Sequence, residues 1–364
     1  MPDVVLAIAG AGMAGAAAAL TALHAGLTPQ LIGPRPQAEE RPGDSLSVAA
    51  SGSIERLGLG DLLTCGPHRH NIITHSAWGA PVLAQRHAMM HPEGGGHVLD
   101  RAAFDLALDR RLDARGIRRT PAQVQSATRT SDGRWRLVLS DSACVTADFL
   151  LDCTGRQARI ARHLSAGFRA DRLVAACSFL TRSDAAVEPT PATLIEAAPD
   201  GWWYAALLPD ERLSLCYFSD PDLLPRGLAR DRKTWRAMAA GTTYVSRWLE
   251  SATFEIAAPP RLASAGTTWL ASACGPGWAA AGDAACAFDP LSSHGMASAL
   301  WTGERAATAA IAAHRGDDDA LRAYGETIAA AVTDFLAQRS RIYGAERRWG
   351  HLPFWRRRSG RIDP

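Results

Sequence analysis

The chain has 364 residues, enough for two domains or for one large core with a second inserted in it. Hydrophobic residues make up 47% and charged residues 21%, as in a folded globular protein, and a formal charge of +2 gives no reason to expect nucleic acid as the main partner. The seven cysteines are scattered, with no CxxC pair and no histidine at zinc-ligand spacing; this speaks against a metal centre and suits buried thiols in a reducing compartment.

Residues 4–27 are apolar enough to imitate a signal peptide or membrane span. Asp3, however, stands where such a segment would be basic, and Gly10, Gly12, Gly15 and Gly26 interrupt the run. A strand, a turn and a helix explain it better, so we expect a cytoplasmic protein that does not enter a membrane. Val4–Ala9 reads as a buried parallel strand, followed by Gly10-x-Gly12-x-x-Gly15 and an alanine-rich helix ending at Gly26. That context is the one a dinucleotide fingerprint requires. Gly10 permits the turn, Gly12 lets a diphosphate approach, and Gly15 lets helix and strand pack closely. The unpaired N–H groups at the helix start, those of Met13 and Ala14 among them, face the phosphates. The motif does not separate FAD from NAD(P), and close packing alone also explains it. Gln30–Ile32 reads as the second strand. Gly33 stands near the place of the acidic residue that should end it, and Arg35 there points to a 2′-phosphate, which keeps NADP open.

Asp100 is the N-cap of a helix with Phe104, Leu108 and Leu112 on one face and Gly116 at its end. A meander follows: Val124–Thr128 and Trp135–Leu139 flank an Asp132-Gly133 turn, and Cys144–Leu151 is its third strand. Leu173–Leu180, Thr193–Ala197, Trp202–Leu208 and Arg212–Phe218 are four more strands. From Gly282 to about Arg348 the pattern is helical. We expect an α/β fold: a Rossmann-like FAD-binding domain with an inserted antiparallel-sheet substrate domain and a helical C-terminus. The boundaries place 1–75, 97–165 and 260–310 in the first, 76–96 and 166–259 in the second, and 311–364 in C-terminal helices with a basic tail.

Near the C-terminus, Trp278-Ala-Ala-Ala-Gly282-Asp283 reads as a buried strand delivering a carboxylate, and Asp289-Pro290-Leu-Ser292-Ser-His294-Gly295-Met296 runs into a helix. A carboxylate there can accept hydrogen bonds from a ribitol chain. The N–H groups of Gly295 and Met296 can stabilise negative charge at the edge of a reduced flavin. A strand followed by an Asp-capped helix is the bland alternative.

With Arg101 in Leu99-Asp-Arg-Ala-Ala-Phe104 and Asp152-Cys-Thr-Gly155-Arg156, these motifs make the chain resemble the p-hydroxybenzoate hydroxylase-like FAD monooxygenases and the tryptophan halogenases over nearly its whole length. The resemblance implies that Arg101 contacts the cofactor and Asp283 binds the ribitol; Ser45 and Pro290, within shared motifs, are counted with them. Within this group the chain is most similar to the flavoproteins that mature quinone-cofactor amine oxidases, those of lysine oxidase, glycine oxidase and quinohemoprotein amine dehydrogenase. The residues behind this are Arg41-Pro-Gly-Asp44-Ser45-Leu46, Ser76-Ala-Trp78-Gly79, Glu196 through Gly201-Trp202-Trp203-Tyr204, Asp289 through Gly295, and Glu346 through Arg358. What it implies is oxygenation of a tryptophan side chain in a partner protein or peptide through a flavin C4a-hydroperoxide formed with O₂. Electrons would come from NAD(P)H or a separate flavin reductase.

Halogenases place a lysine in the N-terminal half and a glutamate in an Asp-Pro-Leu-Glu-Ser-Thr run. Here the one lysine is Lys233, and Ser292 and His294 occupy the glutamate and threonine positions. Hydroxylation is therefore expected over halogenation. Candidate acid–base residues are His294 and Glu196, with His97 and Asp44 as further possibilities. Trp78, Trp202, Tyr204 and His97 are expected at the substrate, although strand alternation would set Trp203 opposite Trp202 and Tyr204, and core packing explains each aromatic equally well. The arginine-rich tail is either a solvated helix end or a docking surface for an acidic partner. A hydroxylase of a free indole or phenol, and a non-catalytic FAD-binding assembly chaperone, remain as alternatives.

Overall fold

The computed structural model describes residues 3–37, 41–90, 94–317 and 319–359. In chain order, β1 (Asp3–Ala9) leads through the glycine turn into α1 (Met13–His24), and β2 (Gln30–Ile32) follows. A hairpin of β3 (Ile73–Ala77) and β4 (Ala84–His87) precedes α2 (Arg101–Ala114) and β5 (Arg118–Thr120). The meander is β6 (Val124–Arg129), β7 (Trp135–Leu139) and β8 (Cys144–Asp152). Then come β9 (Val174–Arg182), β10 (Thr193–Ala198), β11 (Gly201–Leu207) and β12 (Leu213–Ser219). The chain continues through α3 (Arg232–Ala240), α4 (Val245–Ser251), β13 (Arg261–Ser264), β14 (Trp278–Ala280), α5 (Gly295–His314) and α6 (Ala320–Ala345).

β1 lies between β8 and β2 and pairs parallel with both, while β5 extends the sheet beyond β2 and β14 beyond β8. A strand with both flanks paired and both faces covered carries no charge, which is why Val4–Ala9 reads as it does. α1 buries nine of its twelve residues, because it is packed between this sheet and α5. Alanine is the side chain that lets helices approach so closely without losing helix propensity. α2 begins where the sequence indicates: the Asp100 carboxylate accepts from the Ala103 N–H at 2.9 Å.

The second sheet has the order β9-β12-β11-β10-β3-β4, antiparallel except for β10 beside β3, with β13 on the outer flank of β9. It takes in residues 73–75 and 261–264, which the sequence boundaries assigned to the nucleotide-binding part. Its two faces carry different cores, one built around Trp203, Trp235 and Tyr217, the other around Trp202, Phe218, Tyr343, Phe354 and Trp355.

Two expectations change here. The stretch from Gly282 is not continuously helical: a short strand, Cys286–Ala287, and a bend at Ser293 (φ 53°) precede α5, and Gly316 (φ 97°) follows it. Nor is the basic tail a solvated end. Phe354 and Trp355 are fully buried, and Trp355 Nε1 donates to the Ala198 carbonyl at 3.0 Å. Arg358 pairs with Asp220 inside the protein, Arg357 pairs with Asp220 and Asp222, and Arg348 with Glu346. These three arginines are therefore committed to carboxylates of the fold, while Arg347 and Arg356 are exposed. Arg361 lies outside the described residues. No helix among the described residues is long and apolar enough to cross a membrane. The cysteines are less uniformly buried than expected: Cys65 is exposed, and Cys144 and Cys274 are half-buried.

Candidate functional site

Between the first sheet and the second lies a cavity of about 400 Å³. At its base is the N-terminus of α1. Gly10 holds φ 105°, and a Cβ there would sit 2.1 Å from the Cys153 carbonyl oxygen, so only glycine lets the turn pass so near β8. A Cβ on Gly15 would sit 1.9 Å from the Gly10 carbonyl oxygen. Gly12 differs: its φ is −78° and nothing lies within 4 Å of a Cβ built on it. Gly12 therefore answers no demand of the fold; its missing side chain leaves space over the helix end. α1 has no side-chain cap and no acidic residue in its first turn, so the leading N–H groups face the cavity at Gly12, Met13 and Ala14.

A second uncapped helix start faces the same space. α5 begins at Gly295, again with no side-chain cap, and Gly295 and Met296 line the cavity with Pro290 and Ser293. Two positive helix ends on one cavity make it receptive to negative charge at both places. Asp283 lies between them. Its carboxylate is 3.4 Å from Arg156 Nε, and the surrounding protein raises its carboxyl above the usual range, partly offset by Arg156. Arg156 also donates to the carbonyls of Gly266 (2.5 Å) and Phe288 (3.3 Å), tying together three segments of the wall. The sequence pointed to its motif without giving it this role.

On another wall the loop 41–45 brings Asp44 and Ser45 beside Arg101. The Arg101 guanidinium donates to the Gly43 carbonyl at 2.7 Å, yet its Nε has no partner. Burial, helped by nearby Arg41, lowers its pKa to about 9. Asp44 accepts from the Tyr204 hydroxyl at 2.6 Å, and its second oxygen is buried without a protein partner. Burial pushes the Asp44 carboxyl up, against the pull of the Tyr204 and Ser214 hydroxyls and, more weakly, of Arg101. The second sheet closes the cavity with Trp202, Tyr204, Phe218, Cys177 and Cys216, all on one face of strands where alternate residues point the same way. The Trp202 and Phe218 rings stack at 4.0 Å.

Other sequence-predicted residues lie elsewhere. Glu196 sits opposite Trp203 in the ladder, so strand alternation turns it to the far face. There its carboxylate accepts from the N–H groups of Thr243, Tyr244 and Val245 at 2.7, 3.0 and 2.8 Å, capping the start of α4. Arg35 leaves the nucleotide turn to pair with Asp109 and Asp113 on α2. His97 lies outside the cavity lining against His70, with ring centroids 4.3 Å apart, and burial and that neighbour lower its pKa. Trp78 stands behind the wall, its Nε1 donating to the Ile342 carbonyl at 2.8 Å and its ring packed edge-on against Trp202. His294 immediately precedes α5; its half-buried imidazole, kept toward the neutral form by burial, does not itself line the cavity.

Residues 80–363 match the tryptophan halogenase family. The chain belongs to that family. LodB of Marinomonas mediterranea, assigned by its name to the FAD-dependent oxidoreductases, is 28% identical over 290 residues, 78% of this chain and 76% of that protein. Among solved structures, the peptidyl tryptophan dihydroxylase QhpG, essential for tryptophylquinone cofactor biogenesis, superposes with a TM-score of 0.81 at 24% identity, covering 100% of this chain and 80% of that one. The myxobacterial chondrochloren halogenase CndH, an FAD-dependent halogenase, gives 0.87 at 19% identity, covering 100% and 87%. These likenesses establish the mixed α/β fold with its helical C-terminus.

In this member of the tryptophan halogenase family the cavity wall is held from behind by a network that the sequence did not signal. Tyr343 on α6 accepts from Trp202 Nε1 at 3.0 Å and donates to Asp289 at 2.8 Å. Asp289 also accepts from the Leu291 N–H at 3.0 Å, and Arg339 links it to Asp171. One buried carboxylate thus joins the aromatic wall to the loop before α5. The partners lie far apart in sequence, so no local pattern could have marked them.

Proposed function

We propose that this chain binds FAD in the cavity and hydroxylates an electron-rich aromatic ring, that of a tryptophan carried by a protein or peptide. The observation that carries the reading is the pair of uncapped helix ends on one cavity with a carboxylate between them. The clearance above Gly12 and the N–H groups of Met13 and Ala14 suit a diphosphate, and Asp283 suits the hydroxyls of a ribitol chain. The N–H groups of Gly295 and Met296 suit the carbonyl edge of a flavin ring, and Arg101 adds a donor with an unsatisfied Nε. Ser45 and Pro290 flank the same space. These residues fit FAD as a set.

Bound FAD, once reduced by NAD(P)H or by a separate reductase, supplies the activation of O₂. The chain's residues do the rest. Trp202, Tyr204 and Phe218 form an apolar aromatic wall against which an indole can stack while water is kept out. Asp44, with one oxygen free of protein partners, is the group we assign to receive the proton lost from the ring, and the Tyr204 hydroxyl holds it in place. His294, beside the α5 start, remains a second acid–base candidate; Glu196, which caps α4, does not. Oxygen transfer is favoured over halogenation because Lys233 is exposed on α3 and does not line the cavity, while Ser292 and His294 stand at the halogenase Glu and Thr positions.

The test is purification, an absorption spectrum, and incubation of the reduced protein with O₂ and a tryptophan-containing peptide, with chloride and bromide present. A flavin spectrum and a mass gain in whole oxygens are expected. A colourless folded protein that refuses FAD would overturn the cofactor assignment. A halogenated product would overturn the chemistry, and oxygenation of free indole but not peptide would overturn the substrate class.

A further inference from the structure

Residues 261–270 run antiparallel beside residues 167–177 as one extended ribbon. It begins as β13 against β9, with Arg261 opposite Cys177 and Ala263 opposite Ala175, and ends as Thr268–Leu270 against Gly167–Arg169. The outer flank of Thr268 and Trp269 is closed by Ala287 and Cys286. The outer flank of β13 is open: among the described residues β13 pairs with β9 and no other strand, and all four of its residues are exposed. A free strand edge presents N–H and C=O groups to any extended chain laid beside it.

This edge is also the rim of the cavity. Residues directly opposite on paired strands share a face, so Arg261 and Ala263 stand on the side of Cys177 and Ala175, which line the cavity; Ala263 and Ser264 line it themselves. An added strand would lie in line with Cys286–Ala287, on the same flank of the ribbon.

Charge decides the kind of chain. Arg169, Arg172 and Arg261 along the ribbon are exposed and have no carboxylate partner among the described residues. Asp171 is the only acidic residue between 157 and 173 and is held by Arg339, and residues 257–270 contain none. The ribbon therefore keeps its positive charge, unlike Arg348, Arg357 and Arg358 of the tail, each of which is paired with a carboxylate.

We propose that an extended, acidic segment of the substrate protein adds as a strand to β13, drawn by Arg261 on that edge and by the positive charge of Arg169 and Arg172 on the neighbouring segment, with its tryptophan presented to the cavity. This rests on the proposed function only for what happens to the tryptophan; the docking stands on the open edge and the charge.

The test titrates the full-length protein against a fluorescein-labelled peptide of alternating glutamate and valine around one tryptophan, read by anisotropy. The glutamate peptide binds and its lysine counterpart does not. A double variant, Arg172→Glu with Arg261→Glu, weakens the glutamate peptide by about tenfold or more and strengthens the lysine peptide. N-methylation of alternate peptide amides weakens binding in one register and spares it in the other, because an edge strand pairs with every second residue. Equal binding of the two peptides, or equal behaviour of the two N-methyl registers, overturns the proposal. The peptide changes leave the protein untouched, so misfolding cannot mimic either result. Flavin absorbance and oxygenation of an uncharged tryptophan peptide, followed on the same samples, separate the two readings. A flavin-loaded protein that oxygenates the uncharged peptide yet shows no preference for the acidic one sinks the docking alone; a colourless protein that still docks it sinks only the FAD assignment.

Discussion

Replacing Glu196 separates a catalytic carboxylate from a helix cap. Three backbone N–H groups at the start of α4 donate to this side chain, which is 6% exposed. Hydrogen bonds to a charged group contribute about 1.5–3 kcal/mol each, and a buried donor left without a partner costs about 1–3 kcal/mol. Glu196 borders a cavity of about 530 Å³ on the far face of the second sheet, so water can replace part of what is lost. Glu196→Ala should therefore cost about 2–4 kcal/mol. Glu196→Gln keeps one oxygen but loses the negative charge at a helix start, and should cost about 1–2 kcal/mol. At roughly 2–4 °C per kcal/mol, the alanine variant should melt about 4–16 °C lower and the glutamine variant about 2–8 °C lower. Both would be followed by thermal and urea unfolding, and flavin content and turnover would be measured on the protein that remains folded. Turnover per bound flavin should stay within about twofold of the parent for both. A glutamine variant with an unchanged melting midpoint, but turnover down by about tenfold at full flavin content, would refute the capping account.

The remaining predictions address the cavity and the tail. At Gly12 a Cβ has no protein atom within 4 Å and the backbone is unstrained, so Gly12→Val should fold as the parent does and emerge without flavin; a yellow Gly12→Val protein would count against a diphosphate there. Asp44 is held above its ordinary carboxyl pKa by burial, so its stabilising contribution is present at low pH, below the unfolded value, and is lost as pH rises through the folded one. Asp44→Asn should therefore be more stable than the parent at neutral pH, with the gap closing on acidification, and should lose the rising limb of the pH–rate profile; a gap that does not vary with pH would sink the assignment. Arg358→Ala leaves the buried Asp220 with Arg357 alone and should cost about 3 kcal/mol by urea unfolding, whereas a solvated tail arginine would cost almost nothing.

Patterns confined to a few neighbouring residues were legible in the sequence. The glycine turn, the N-cap at Asp100, the Asp132-Gly133 hairpin and strands such as Gln30–Ile32 follow from local sterics and periodicity, and the structure has them where the pattern places them. Strand alternation also separated Trp202 and Tyr204 from Trp203, though it could not say which face was the cavity. The same alternation across the Pro199-Asp200 turn sets Glu196 opposite Trp203, on the face away from the cavity.

Chain chemistry alone thus determined the two-part α/β architecture and the glycine turn beneath the cavity, because backbone geometry and side-chain period are properties of adjacent residues. Only the tertiary structure decided which charges are free. Arg35, Glu196, Arg357 and Arg358 look available in a linear reading, yet each meets a partner brought from elsewhere in the chain. The Trp202–Tyr343–Asp289 link likewise exists only once α6 lies behind the second sheet. Whether a polar group is satisfied depends on neighbours within a few ångströms, and packing, not sequence order, supplies them.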